Sequence, residues 1–219
     1  MLLFAENLTP AIVIGILTAV LIGMTVHEFS HNYVAYLMGD PTPARQGRLT
    51  LNPAVHIYWP GFLMFVLIGF GILGTAPVNY RLMRNPRWGY LAAVAAGPFS
   101  NLLVAVAGGI LWRLAGDSFL ISHRFVHDLL EVLVVFNVLL FIFNLLPLFP
   151  LDGWSIVLTL LPADQAYVWQ RNAQNTQIVF LVLIMAGFVM HSMGIYGPTP
   201  FGLIVGEPVQ IITDFLIGS

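Results

Sequence analysis

Two histidines and a glutamate stand close together in an otherwise apolar stretch of this sequence. Residues 24 to 39 read MTVHEFSHNYVAYLMG, and the sixteen residues from 11 to 26, directly before the first histidine, carry no charge. His27 and His31 are four residues apart, so on a helix their imidazoles project from one face and can bind one metal ion. Glu28 lies beside them and could take a proton from a water molecule activated by that ion. The pattern H-E-x-x-H therefore predicts a hydrolytic zinc site.

The apolar setting of this motif strengthens the prediction. Ionisable residues inside a membrane helix are energetically costly and usually mark function. A buried polar cluster that only joins helices is the structural alternative. A catalytic zinc usually has three protein ligands and one open position, so a third ligand must reach the same depth. The sequence contains no cysteine, which leaves histidine and carboxylate side chains.

The leading candidate for the third ligand is Asp152, in the stretch NLLPLFPLDGW at residues 144 to 154. Pro147 and Pro150 break the preceding hydrophobic helix, because proline lacks a backbone donor and bends the chain. A broken segment of this kind can expose polar backbone and turn a carboxylate inward. On its own the sequence PLDG would indicate an ordinary turn.

The composition indicates an integral membrane protein with a single domain, residues 1–219. Hydrophobic residues make up 58% of the 219-residue chain and charged residues only 8%, far from the usual balance of a soluble domain. The fold class is therefore predicted to be all-α, a polytopic membrane helix bundle. No basic cluster interleaved with aromatic residues is present, so nucleic acid is not expected as a partner. Four stretches are long enough to span a bilayer: 10 to 38, 88 to 112, 125 to 147 and 177 to 196.

Two further apolar stretches are harder to interpret. Residues 61 to 74 are short and contain four glycines, which fits a re-entrant or broken segment as well as a span. Residues 201 to 217 are interrupted by Gly206-Glu207-Pro208, which favours an interfacial helix over 208 to 217 rather than a sixth span.

The arginines favour the re-entrant interpretation of residues 61 to 74. If that segment does not cross, six of the eight basic residues share one side, the asymmetry expected of a cytoplasmic face. Asp152 then emerges on the same side as the histidine pair, whereas a full crossing would place it opposite. The N-terminus is accordingly expected outside and the zinc site towards the cytoplasm. The six arginines are Arg45, Arg48, Arg81, Arg84, Arg87 and Arg171.

Four motifs in this order resemble the site-2 protease family of intramembrane zinc metalloproteases, especially its short bacterial and archaeal members. The motifs are HEFSH (27–31), LTLNPAVH (49–56), GPFSN (97–101) and NLLPLFPLDG (144–153). The resemblance implies one zinc ion held by His27, His31 and Asp152, with Glu28 as the general base.

The same resemblance implies further site residues and partners. Asn144 matches a family asparagine that holds the substrate backbone or a developing oxyanion, and Asn101 matches another polar family position. His56 could contact substrate in the cleft or could be an ordinary loop histidine. The implied substrate is a transmembrane protein segment, cleaved within the bilayer of a prokaryotic cell membrane, while the oligomeric state stays open. A metal transporter and an inactive scaffold are the rival interpretations.

Overall fold

The protein is a bundle of helices. The computed structural model describes residues 10–68, 71, 74–195 and 197–218. Within these ranges the structure is helical apart from turns and one isolated β-bridge, which confirms the predicted all-α class. The helices are α1 (Pro10–Leu37), α2 (Thr42–Arg45), α3 (Pro53–His56), α4 (Trp59–Ile68), α5 (Pro86–Ala115), α6 (Asp117–Ser122), α7 (Arg124–Asn144), α8 (Asp152–Leu160), α9 (Ala163–Arg171), α10 (Ala173–Ser192) and α11 (Pro200–Ile217).

Five of these helices are long and apolar enough to cross a membrane. Four of them, α1, α5, α7 and α10, correspond to the predicted spans, and α11 is the fifth. The ends of α5 follow from local sequence: the Asn85 side chain accepts a hydrogen bond from the Trp88 backbone N–H, Pro86 opens the helix, and Gly116 ends it with a φ of 74°. These are the usual signals for a helix start and stop.

Helices α1, α5 and α7 pack against one another and form the centre of the bundle. Apolar clusters lie between them at different heights. Val20, Met24 and Leu140 form one cluster, and Ala105, Val134 and Val138 form another that also packs against α11. The three helices therefore provide the frame on which the polar residues are placed.

The segment at 61 to 74 begins and ends at one place. Helix α4 has only ten residues, about half the length of a spanning helix. The backbone of Ile57, before α4, pairs with the backbone of Gly74, the last residue of the segment. The chain thus enters and leaves this stretch at the same level, as a re-entrant or broken segment requires.

The C-terminal stretch differs from its prediction. The expected interruption at 206 to 208 is wrong, because Pro208 lies inside one continuous helix, α11. The helix begins much earlier, where the Thr199 side chain accepts a hydrogen bond from the Gly202 N–H and Pro200 occupies the first turn. Helices α8 and α9 were not anticipated from the sequence.

Arginines near the two ends of α5 show which helix ends lie together. The Arg84 N–H bonds to the Met38 carbonyl, so the end of α1 meets the start of α5. Arg87 bonds to the end of α8, whereas Arg113, near the other end of α5, bonds to the end of α11. At about 1.5 Å per residue, the two arginines are about 39 Å apart along the helix. Asp152 therefore belongs to the end of the bundle where α1 finishes.

Candidate metal centre

The structure brings the three predicted ligands together. His27 and His31 lie one turn apart on α1, both buried, and Asp152 is the first residue of α8. The two Nε2 atoms are 3.0 Å apart. Asp152 Oδ2 lies 3.1 Å from His27 Nε2 and 3.3 Å from His31 Nε2. His31 is six residues before the end of α1, or about 9 Å along its axis.

Hydrogen bonds on the far side of each imidazole fix which nitrogen faces the centre. His27 Nδ1 lies 2.7 Å from Asn101 Oδ1, and His31 Nδ1 lies 2.8 Å from the backbone oxygen of Ala93. Both partners are acceptors, so each Nδ1 carries the ring proton and donates. Each Nε2 of the neutral imidazole is then a free lone pair. Helix α5 therefore sets both histidines in the form that binds a metal through Nε2.

With both imidazoles neutral, three electron-pair donors converge on one point. Asp152 Oδ2 is buried and has no hydrogen-bond partner among the described residues. Close lone pairs of this kind repel one another unless a cation lies among them. Ligand atoms of tetrahedral zinc, at bond lengths of about 2.0–2.1 Å, are about 3.3 Å apart. The observed separations of 3.0 to 3.3 Å fit such an ion.

A glycine in α5 leaves room for this centre. A Cβ atom at Gly97 would clash with His31 Nε2 and would lie 2.8 Å from His27 Nε2. The backbone of α5 therefore passes directly beside the ligand nitrogens, and any side chain at position 97 would enter the space between them. The motif GPFSN contributes this close approach as well as Asn101.

The third ligand reaches the site through the turn between α7 and α8. This turn contains a cis peptide bond between Phe149 and Pro150. Gly153 lies so close to the Leu145 carbonyl that a Cβ atom there would clash with it. At the other end of α8, the Arg87 guanidinium donates to the Thr159 and Leu160 carbonyls at 2.9 and 3.0 Å. Both ends of α8 are thereby fixed, one against the end of α7 and the other against α5.

Glu28 faces the same space as the ligands. A cavity of about 350 Å³ is lined by the three ligand residues and by Glu28. The Glu28 side chain is buried, and its Oε2 has no hydrogen-bond partner among the described residues. A Cβ atom at Gly74 would lie 2.5 Å from Glu28 Oε1. The returning backbone of the re-entrant segment therefore packs directly against the carboxylate.

The remaining predicted site residues differ in whether they line the cavity. Asn144 lines the cavity and donates through Nδ2 to the Leu140 carbonyl at 3.0 Å. Asn101 is fully buried and holds His27 from behind, outside the cavity lining. His56 is also buried away from the cavity lining, and its Nε2 donates to the Thr50 carbonyl at 2.6 Å. Its Nδ1 has no partner among the described residues.

Three residues that shape the site were missed from the sequence. Gly74 carries no chemical signal, and its role follows only from its contact with Glu28. Asn137 is fully buried and bonds to Asn101 at 3.0 Å. It lies two helical turns before Asn144, so a second amide on the same face of an apolar helix was a signal that could have found it. Thr75, next to Gly74, also lines the cavity.

A second group of possible ligands lies at the start of α7. His127 Nδ1 is 3.0 Å from Asp128 Oδ1 and 3.8 Å from Glu131 Oε2, and all three residues come from one helix. Glu131 is exposed. The acidic residues lie near the N-terminus of α7, where the helix dipole favours negative charge.

Fold and site together indicate a multi-pass membrane protein with a buried group of candidate metal ligands that includes an H-E-x-x-H motif. The chain is 37% identical over 188 residues to the putative zinc metalloprotease YwhC of Bacillus subtilis (strain 168), with 84% of each chain covered. The protein therefore belongs to the zinc metalloprotease family that includes YwhC.

More distant relatives carry a similar name. The chain is 28% identical over 160 residues to the putative zinc metalloprotease Rip2 of Mycolicibacterium smegmatis, covering 69% of this chain and 60% of the relative. It is 26% identical over 193 residues to Rip2 of Mycobacterium tuberculosis (strain H37Rv), covering 84% and 73%. No family profile and no solved structure matches the chain.

Proposed function

We propose that this protein is a zinc-dependent endopeptidase of the site-2 protease type, which hydrolyses a peptide bond in or near a transmembrane segment. The observation that supports this most directly is the pairing of a metal-ligand set with a free carboxylate. His27, His31 and Asp152 present three donor atoms to one point, and Glu28 lines the same cavity with an unpaired oxygen. A metal site with a purely structural role needs no such base.

One zinc ion would be held by the two Nε2 atoms and the Asp152 carboxylate. When bound, zinc supplies Lewis acidity, which polarises a carbonyl and makes water acidic enough to attack it at neutral pH. The protein supplies the geometry: α5 fixes the imidazoles through Asn101 and the Ala93 carbonyl. The relatives' names as zinc metalloproteases support zinc as the ion.

Glu28 would act as general base and then as general acid. Its carboxylate takes a proton from the attacking water and later passes that proton to the departing amine nitrogen. Burial between α1 and the Gly74 backbone holds the carboxylate in one place. Asn144, which lines the same cavity from the end of α7, would hold the substrate backbone through its amide.

The location of the cavity supports a transmembrane segment as the substrate. The site lies within a bundle of apolar helices, so the peptide that reaches it must be stable in the bilayer before it is cleaved. A helical substrate must unwind locally, because a helix uses its carbonyls in internal hydrogen bonds. Regulated intramembrane proteolysis is the process in which such a cut is used.

The proposed orientation places the site near the cytoplasmic face of a prokaryotic cell membrane. The arginines cluster at the end of the bundle where α1 finishes, and the excess of positive charge is expected inside. A fragment of the substrate would then be released into the cytoplasm. The lipid bilayer and a transmembrane protein are the proposed partners.

The test is a Glu28→Gln variant, purified in detergent and reconstituted with a single-span substrate. We expect it to bind one equivalent of zinc and to lose at least about 100-fold in cleavage rate, the usual contribution of a general base. Glu131→Gln changes an exposed glutamate in the same way and should cleave normally. Full activity in Glu28→Gln would refute the assigned base. Zinc binding without any cleavage by the wild-type protein would instead favour the scaffold or the transporter.

A further inference from the structure

A buried amide on a third helix continues the hydrogen-bond chain that begins at the metal centre. Asn137 lies on α7 and is fully buried. Its Nδ2 donates to the Leu133 carbonyl at 2.8 Å, which leaves its Oδ1 pointing away from its own helix. That oxygen accepts a hydrogen bond from Asn101 Nδ2 at 3.0 Å. Asn137 makes no contact with the cavity, since it is absent from its lining.

The Asn101 amide can hold His27 in the required form only in one of its two orientations. With Oδ1 towards His27, it accepts from Nδ1–H and leaves Nε2 free to bind a metal. Rotated by half a turn, it would present its N–H₂ group to Nδ1. His27 would then carry its proton on Nε2, where it blocks the metal.

Two acceptors keep the Asn101 amide in the productive orientation. Its Nδ2 donates to the Gly23 carbonyl at 2.9 Å as well as to Asn137 Oδ1. A Cβ atom at Gly23 would lie 2.9 Å from Asn137 Oδ1, so the glycine also lets α1 approach α7 closely enough for this contact. The reversed amide would place its oxygen against these two oxygens, which is repulsive in a buried site.

We propose that Asn137 is a positioning residue, which sets the metal-binding tautomer of His27 by orienting the Asn101 amide from α7. The inference rests on the metal site of the proposed function, but not on proteolysis. All three amide contacts are buried, so water cannot replace a lost acceptor at low cost. Loss of a hydrogen-bond partner behind a metal ligand typically weakens metal binding by about 10- to 100-fold.

The first test compares two substitutions at position 137 with a packing control. Asn137→Leu removes the acceptor and keeps the volume. Asn137→Ser removes it with a smaller side chain, whose hydroxyl can bond to a carbonyl of its own helix. Val134→Ala opens a cavity one turn away, at another fully buried position. Zinc dissociation constants are measured in detergent by competition with a chromogenic chelator, and the cobalt-substituted protein is measured by its visible absorption spectrum.

We expect both Asn137 variants to bind zinc about 10-fold more weakly or worse and to show an altered cobalt spectrum. Val134→Ala should lower the thermal midpoint without changing either readout. Unchanged zinc affinity in a folded Asn137→Ser protein would overturn the proposal, as would an equal loss in Val134→Ala. A wild-type protein that binds no zinc would overturn it too.

The second test asks whether Asn137 acts through Asn101. In an Asn101→Ala background, the amide through which Asn137 is proposed to act is absent, so the two substitutions form a double-mutant cycle. Adding Asn137→Ser to this background should change zinc affinity less than twofold. A second 10-fold loss would show that Asn137 acts on the site in some other way and would overturn the mechanism. Since zinc affinity is read directly, a protein that shows these effects without cleaving peptides would refute only the proposed function.

Discussion

Replacing Gly97 with alanine should eliminate tight metal binding while leaving the charge and all ligands in place. The added methyl group would point at both imidazoles, clashing with His31 Nε2 and lying 2.8 Å from His27 Nε2. Alanine is the better helix former by about 1 kcal/mol, so local propensity favours the variant. Any loss of zinc must therefore come from the space that the methyl occupies.

The size of the effect follows from the contact distances. Ordinary van der Waals contact begins at 3.4 Å, so His27 Nε2 would have to retreat by about 0.6 Å and His31 Nε2 by more. Ligand distances in metal sites are held within about 0.2 Å. Displacement of two ligands should cost more than loss of one outer hydrogen bond, which places the zinc dissociation constant at least about 100-fold higher. That factor corresponds to about 2.7 kcal/mol.

The control is Gly108→Ala, in the same helix. A methyl there would lie 2.9 Å from Val134 Cγ2, so it crowds the interface between α5 and α7 about 16 Å from position 97. Zinc affinity is measured by chelator competition, and folding by the thermal midpoint of the metal-free protein. Gly108→Ala should lose stability and keep zinc affinity, whereas Gly97→Ala should lose zinc. Wild-type affinity in a folded Gly97→Ala protein would show that the α5 backbone is not where the structure places it.

Two other substitutions should separate catalysis from metal binding. Gly74→Ala adds a methyl 2.5 Å from Glu28 Oε1. It should reduce cleavage at least about 10-fold and leave zinc affinity unchanged. Reduced zinc content would contradict the assignment of Glu28 as a base outside the ligand set. Asn144→Ala removes an amide from the cavity lining. It should lower kcat by about 100-fold, as loss of an oxyanion donor does, and leave zinc affinity unchanged. An effect on neither kcat nor KM would show that Asn144 does not belong to the site.

The candidate ligands could be predicted from the sequence because two of them form a strong motif, and that motif requires a third. The spacing of His27 and His31 defines a shared helix face, and Asp152 follows from the need for a third ligand on the same side. A re-entrant path of residues 61 to 74, which the pairing of Ile57 with Gly74 supports, was an independent indication for Asp152.

The residues that could not be predicted act through backbone proximity or through other side chains. Gly74 matters because a carboxylate from another segment lies beside it, and no local pattern reports such a contact. A break was expected at Pro208, yet α11 begins directly after its N-cap residue, Thr199, and continues through Pro208. Helices α8 and α9 have nine residues each, and α9 carries Asp164 and Arg171 within that length, so neither has the long apolar signal of a span.

The position of the metal centre argues against a transport path through the bundle. The other cluster of possible ligands, at His127, lies at the level of Gly15, because the Asp128 and Leu129 backbone approaches that glycine. From Gly15 to His27 is about 18 Å along α1. Over that distance lies the apolar cluster of Val20, Met24 and Leu140, and the buried amides of Asn101 and Asn137 near it are hydrogen-bonded to each other. An ion crossing the apolar cluster would have to give up its water there, which is costly in an apolar core. Hydrolysis does not need such a path, because water must reach the site but need not pass through the bundle.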